Sequence, residues 1–291
     1  MVSEPGVAPA FEELAVVRGR IAGRLADVGR TIAVMSGKGG VGKSLVAVQL
    51  ALALSRRGLR VGVLDADLNS PSVAKMLGLR GAPLRATTSG LRPIPGPLGI
   101  AVMSMDFFLQ GSQPLGWDGA SGEGSTQRSA LEEAALADLL GSTEWGTLDV
   151  LVIDLAPGPD RLPALVHLHP DLDSAIAVTI PTEVSLLAVE RSVRRAYEAG
   201  VPMLGLVENL ASSVCAHCGA EGPLFREAPV DGIARQLDLP LLVRVPFDPQ
   251  LAAAADAGMP GDGQLTNAAV RVFEALAEQV AQAALAEEKS C

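Results

Sequence analysis

An α/β fold is predicted, a single doubly wound and mainly parallel sheet with helices on both faces. Three observations predict it. Short apolar runs alternate with helix-like stretches along most of the chain, the pattern of strands joined through crossover helices. Leu59–Leu64 is a near-continuous apolar run, as in a parallel strand covered on both faces. Gly37-Lys38-Gly39-Gly40-Val41-Gly42-Lys43-Ser44 stands between an apolar strand and a helix, the setting that a phosphate-binding loop requires. Hydrophobic residues make up 48% of the chain and aromatics only 3%, so the core must be built of Val, Leu, Ile and Ala.

Taken in order, residues 1–9 contain Pro and Gly and read as a mobile tail. Phe11–Val28 has Leu14, Val17, Ile21 and Leu25 near helical spacing, so 1–29 is a tail and a helix packed on the domain. Thr31–Met35 is the first strand, Leu45–Leu54 the helix after the loop, and Leu59–Leu64 the second strand, ended by Asp65-Ala66-Asp67. Ser70-Pro71-Ser72 starts a short helix into Val73–Leu77. A hairpin is expected around Leu91 and Ile94, then a strand at Ile100–Met105. Gly111–Ser129, rich in Gly, Ser and Gln, is expected to be a flexible insertion before a helix at Ala130–Leu140.

Leu148–Leu155 is the next strand, and Ala156-Pro157-Gly158-Pro159 follows it. The alternation then repeats: strand Ala175–Ile180, helix Glu183–Ala199, strand Met203–Val207, a loop at 211–226, helix Val230–Leu237 and strand Leu241–Val245. Helices at Pro249–Ala257 and Gln264–Glu287 close the chain. No Pro/Gly-rich linker splits 30–291 into two cores, so it is expected to be one domain.

The loop chemistry is local. Its glycines let successive N–H groups turn inward on phosphate oxygens, and the helix that follows adds the positive end of its dipole. Lys43 would reach the β- and γ-phosphates of ATP, and the Ser44 hydroxyl would ligate Mg²⁺. Hydrolysis needs carboxylates as well, and in an open parallel sheet these collect at the carboxyl ends of strands. Asp65, Asp67 and Asp154 all fall there. Asp154 has the form of a Walker-B carboxylate that holds Mg²⁺ through a water. Asp67 is placed to orient the attacking water, and Asp65 to support the Mg²⁺ shell. Lys38, a second lysine in the loop, could reach across a dimer interface to the partner's nucleotide.

Cys215-Ala216-His217-Cys218-Gly219 admits three readings. A redox pair should open a helix, but Gly219, Gly222 and Pro223 follow. A structural metal knuckle needs four ligands where one chain supplies two nearby. A twofold dimer supplies two plus two thiolates, for zinc or for an iron–sulfur cluster. Cys291 has no assigned role.

Taken together, the residues from Gly37 to Ser44 resemble the deviant Walker A loop of the MinD/ParA/nitrogenase-iron-protein group of P-loop NTPases. Asp65-Ala66-Asp67-Leu68-Asn69-Ser70-Pro71-Ser72, Val207-Glu208-Asn209-Leu210, the Cys-x-x-Cys and Val245-Pro246-Phe247-Asp248-Pro249 are similar to the Mrp/ApbC-type iron–sulfur cluster carriers. The resemblance covers about residues 30–280. It implies an ATPase that binds a [4Fe-4S] cluster between two subunits of a homodimer through Cys215 and Cys218. The cluster would pass to apo iron–sulfur proteins, with cluster scaffold proteins as further partners. By the same likeness Asn209 would contact adenine, the loop from Gly37 to Leu45 would bind the nucleotide, and Lys38 would act across the dimer. Leu45 replaces a Thr that contacts the α-phosphate, and Ala156-Pro157-Gly158-Pro159-Asp160 replaces a longer switch.

The alternative from another class is a MinD/ParA-like positioning regulator whose Cys pair binds zinc. It should carry a basic amphipathic C-terminal helix or a basic patch. Residues 264–291 and a net charge of −10 oppose both, so neither a nucleic-acid nor a membrane partner is expected. No apolar run reaches the ~20 residues that span a bilayer, and Met1–Ala10 has no signal-peptide form. With three cysteines making no disulfide framework, the expected compartment is the cytoplasm.

Overall fold

The computed structural model describes residues 7–109, 125–214, 221–225, 228–259 and 268–286. In chain order its elements begin α1 (Val7–Leu25), β1 (Val28–Ser36), α2 (Lys43–Arg56), β2 (Val61–Ala66) and α3 (Val73–Met76). Short strands β3 (Arg85–Ala86), β4 (Leu91–Arg92) and β5 (Ile94–Pro95) lead to β6 (Ala101–Ser104) and α4 (Ser125–Ser142). Then come β7 (Leu148–Leu155), α5 (Arg161–Leu168), β8 (Ser174–Thr179) and α6 (Glu183–Glu198). The last are β9 (Met203–Val214), β10 (Glu221–Gly222), α7 (Val230–Gln236), β11 (Leu241–Phe247), α8 (Pro249–Ala257) and α9 (Ala268–Ala286).

The strands form a nine-stranded sheet in the order β10-β9-β8-β1-β7-β2-β6-β5, with β11 also on β9. β1 lies parallel between β7 and β8, and β2 parallel between β7 and β6. β9 is parallel to both β8 and β11. Among the described residues, antiparallel pairing is confined to β5 on β6, β10 on β9, and the β3–β4 ribbon. The expected doubly wound, mainly parallel sheet is therefore present.

Side-chain alternation explains why both faces are covered. On β1, Ile32 and Val34 enter the core that holds α2 and α9, while Ala33 and Met35 enter the one that holds α1, α4, α5 and α6. On β7, Val150 and Val152 take the first side and Leu151, Ile153 and Leu155 the second. Every residue of α2 from Val46 to Leu54 is buried, the environment of a helix apolar all round. Its outer side is closed by α9, whose Phe273 and Leu276 are fully buried.

Several boundaries differ from expectation, each for a physical reason. Val28 does not extend the first helix but pairs with Leu148 and opens β1, two residues inside the expected N-terminal region. Of the expected insertion near 111–129, Ser125–Ser129 belong to α4, and 110–124 fall outside the described residues. The expected loop near 211–226 is strand through Val214, and Glu221–Gly222 pair back on Val214 and Ser213. The helix α5 was not expected, because Pro163 interrupts its pattern. Pro163 sits in the first turn, where no intrahelical N–H is needed, and Leu162, Leu165 and Leu168 are buried at helical spacing.

Candidate functional site

The loop from Gly37 to Gly42 joins the carboxyl end of β1 to α2, and its shape depends on what glycine lacks. A side chain at Gly37 would place its Cβ 2.2 Å from the backbone of Ala188 in α6. Gly42 is left-handed at φ 83°, and a Cβ there would meet the Asn209 amide nitrogen at 2.1 Å. No side chain among the described residues caps α2, and its first turn carries no acid, so its leading N–H groups remain available to an anion. Leu45 adds its backbone N–H and no hydroxyl. The loop is tied down at its start. The Ser36 hydroxyl donates to the Lys38 carbonyl at 3.1 Å, and the Gly158 N–H to the Ser36 carbonyl at 2.9 Å.

Gly39, Gly40, Lys43, Ser44, Asp67 and Pro157 line a cavity of about 210 Å³. That is below the ~300–1,000 Å³ of pockets enclosing a whole small molecule, and suits a chain of phosphates. Lys43 and Asp154 are both buried, and their side chains meet at 2.6 Å, with the Ser44 hydroxyl 3.2 Å from the ammonium. The second Asp154 oxygen, Oδ2, is buried without a hydrogen-bond partner among the described residues. An orphaned carboxylate oxygen beside a serine hydroxyl is a donor set that fits Mg²⁺, an oxygen-seeking cation. Lys38 is half-buried at the cavity and has no side-chain ion pair among the described residues.

Asp65 and Asp154 are register partners on adjacent strands β2 and β7. Burial, then the neighbouring Asp154 charge, pushes the Asp65 carboxyl up to about 7. Burial also raises Asp154, against the pull of Lys43. Asp65 is fully engaged. Its Oδ2 accepts from the Ser72 and Val73 N–H groups at 3.0 Å and from the Ser104 hydroxyl at 3.1 Å, and its Oδ1 from the Asp67 N–H at 3.3 Å. It thus holds the segment after β2 in place. Asp67 is half-buried and faces the cavity; burial raises its carboxyl while the charge of Lys43 works the other way.

Asn209 lies against the loop. Its amide donates to the Val41 carbonyl at 2.8 Å and the residue is 2% exposed. Its neighbour Glu208 accepts from Arg244 at 2.9 Å, and Arg244 also meets Asp231 of α7 at 2.5 Å. The sheet therefore brings together Gly37–Ser44, Leu45, Asp65, Asp67, Asp154 and Asn209. Cys215 and Cys218 lie outside the described residues; the paired ends Val214 and Glu221 bracket them.

Two contributors were not identified from sequence. Ser104 at the end of β6 supports Asp65. Glu132 of α4 accepts from Asn69 at 2.8 Å and from Arg161 at 2.6 Å. The legible signal was Glu132 itself, an acid four residues before Leu136 on a buried helical stripe.

The family model described as ParA, NUBPL iron-transfer P-loop NTPase, matches residues 27–281. A protein of Saccharolobus solfataricus named iron-sulfur cluster carrier protein is 40% identical over 239 residues, 81% of this chain and 77% of its own length. One of the same name from Aquifex aeolicus is 35% identical over 265 residues, 88% of this chain and 70% of its own. Among solved structures, a nucleotide-binding protein from Archaeoglobus fulgidus in complex with ADP superposes with a TM-score of 0.70 at 33% identity. The match covers 84% of this chain and 92% of that one. The cell division ATPase MinD of Pyrococcus furiosus, at 22% identity and TM-score 0.62 over 88% of this chain and 99% of its own, shares the fold.

Proposed function

From the premise that this chain belongs to the NUBPL iron-transfer P-loop NTPase family and is an ATPase, we propose that it is an iron–sulfur cluster carrier. In this reading a homodimer holds a [4Fe-4S] cluster on Cys215 and Cys218 of each subunit and hands it to apo-proteins, with scaffold proteins as donors. Two thiolates per chain are half of what the cluster needs, and twofold symmetry completes the set. The observation that carries the reading is the course of β9. The strand that sets Asn209 against the phosphate loop runs on to Val214, next to Cys215. From Asn209 to Cys215 is six residues, roughly 20 Å of extended chain. One element therefore joins the nucleotide site to the candidate cluster ligands.

Roles follow from chemistry and position. Gly37 to Leu45 would cradle the phosphates with backbone N–H groups. Ser44 and the orphaned Asp154 oxygen would hold Mg²⁺, which neutralises charge on the phosphates. Lys43 would leave Asp154 for the phosphates, Asp67 would orient water, and Lys38 would complete the partner's site. Asp65, with both oxygens already accepting hydrogen bonds, would act on the Mg²⁺ shell through the segment that it fixes. Asn209 would meet the base from beside the loop. Named relatives are iron-sulfur cluster carrier proteins. Paired thiols need a reducing compartment, in keeping with the cytoplasm.

Anaerobic reconstitution with iron and sulfide tests the proposal. The expected product is a brown dimer whose absorbance is lost in Cys215→Ser or Cys218→Ser. A colourless protein that keeps stoichiometric zinc instead would overturn it. Lys43→Ala should abolish ATP binding and leave cluster uptake largely intact, because the two sites use different side chains.

A further inference from the structure

We infer that Glu132 is a positioning residue for ATP hydrolysis: one carboxylate on α4 latches the segment after β2 to the segment after β7, closing both on the phosphate cavity. Neither segment is fixed by the phosphate loop alone. The first is a tight turn in which the Ser70 N–H donates to the Asp67 carbonyl at 3.2 Å, and Asp67 faces the cavity. The second starts at Pro157, which lines the same cavity, and runs into α5 at Arg161.

Glu132 bridges them. Asn69 of the first segment donates to Oε1 at 2.8 Å, and Arg161 of the second to Oε2 at 2.6 Å. The two oxygens are divided between the two segments, so one side chain senses both. Arg161 also lies near enough to Asp67 for its charge to favour the ionised carboxylate, after the larger effects of burial and of Lys43. With the Gly158 N–H bonded to the Ser36 carbonyl, the segment that leaves the phosphate loop's base reaches Arg161, and Glu132 carries the connection on to Asn69, two residues from Asp67.

The position is unusual for a carboxylate. Glu132 is 7% exposed on the stripe of α4 that also buries Leu136 and Leu140. A buried acid is costly unless paired, and replacing a buried ion pair by well-packed apolar side chains is often neutral or stabilising. What the acid supplies and a leucine could not is a two-way hold on segments that must sit correctly when phosphate is cleaved. A cleft of about 370 Å³ beside the latch shares Pro157 with the phosphate cavity, so displacement of Arg161 has room to propagate.

The proposal rests on hydrolysis at this loop and is independent of cluster binding. The test is steady-state ATP hydrolysis with Mg²⁺ by Glu132→Ala, Glu132→Gln, and the exchange of Glu132→Arg with Arg161→Glu. Expected for Glu132→Ala is a kcat about tenfold lower with KM for ATP within about twofold, the split of an interaction that matters for chemistry more than for binding. Glu132→Gln should fall between, because Asn69 keeps its acceptor. The exchange should regain activity over Glu132→Ala, since Asn69 can turn its oxygen to the new guanidinium. A general loss of packing would not be rescued in that way. With kcat taken per folded protein, native kcat in Glu132→Ala, or a loss matched by an equal rise in KM, overturns the proposal. If Glu132→Ala does not fold, Arg161→Ala is read by the same criteria. Cluster uptake by Glu132→Ala should be native, so this proposal and the carrier reading can fail separately.

Discussion

Two buried carboxylates abreast on neighbouring strands, only one of them paired with the lysine, make the site sensitive to proton concentration. Asp65 has an ordinary pKa near 4 when the chain is unfolded, against about 7 when folded. The folded state therefore holds this proton more tightly, and unfolding releases it between those values. Stability contributed by the protonated form is complete at low pH and is lost as pH rises through about 7, with a slope of at most about 1.4 kcal/mol per pH unit. Urea titrations without nucleotide or Mg²⁺ over about pH 5–8 should show that decline, and Asp65→Asn should flatten it. A native slope in Asp65→Asn would assign the effect to another group. Lys43, Ser44, Asp65, Asp67 and Asp154 could be picked out in sequence because motif spacing and strand ends place them. Ser104 could not, since the residue it supports lies 39 positions away, and Glu132 showed only as an acid on an apolar helical stripe, its partner Asn69 lying 63 positions away.

Elements were legible where burial and periodicity agree. β2 and β7 are apolar because both their faces are covered, and α6 carries a Thr182 cap whose hydroxyl accepts from the Ser185 N–H. The end of β9 was not legible. After Val207 the sequence turns polar, and what keeps 208–214 extended is pairing with β11 and β10. Leu210 takes a φ of 55° inside the strand, and the ladder with β11 shifts register close by, so the strand bends before its last residues. Ser213 is paired with Phe247 and with Gly222. Ser213→Pro removes a ladder donor, and should lower iron and sulfide content about fivefold or more while ATP affinity stays within about twofold. Equal loss of both, measured by metal analysis and by calorimetry, would show that β9 supports the nucleotide site as strongly as the cysteines.

For the molecule as a whole, the fold class was legible because alternation of strands and helices constrains topology more tightly than it constrains boundaries. The N-terminal helix was legible too, and the structure gives its seat: Ile21 and Leu25 are buried, and Arg20 meets Asp138 of α4 at 2.9 Å. No helix among the described residues is long and apolar enough to cross a membrane. The proposed dimer makes a prediction at this scale. Light scattering should give twice the monomer mass for cluster-loaded protein with ATP, and the monomer mass for Cys215→Ser without nucleotide.

The burial of α2 on all sides carries one further consequence. A socket walled by the sheet on one flank and by α9 on the other has little freedom left to lose, so an incoming triphosphate meets N–H groups already aimed. Whatever yields when nucleotide enters or leaves must then be the rim. The tempo of exchange should follow the turns around Asp67 and Pro157 and not the seat beneath them.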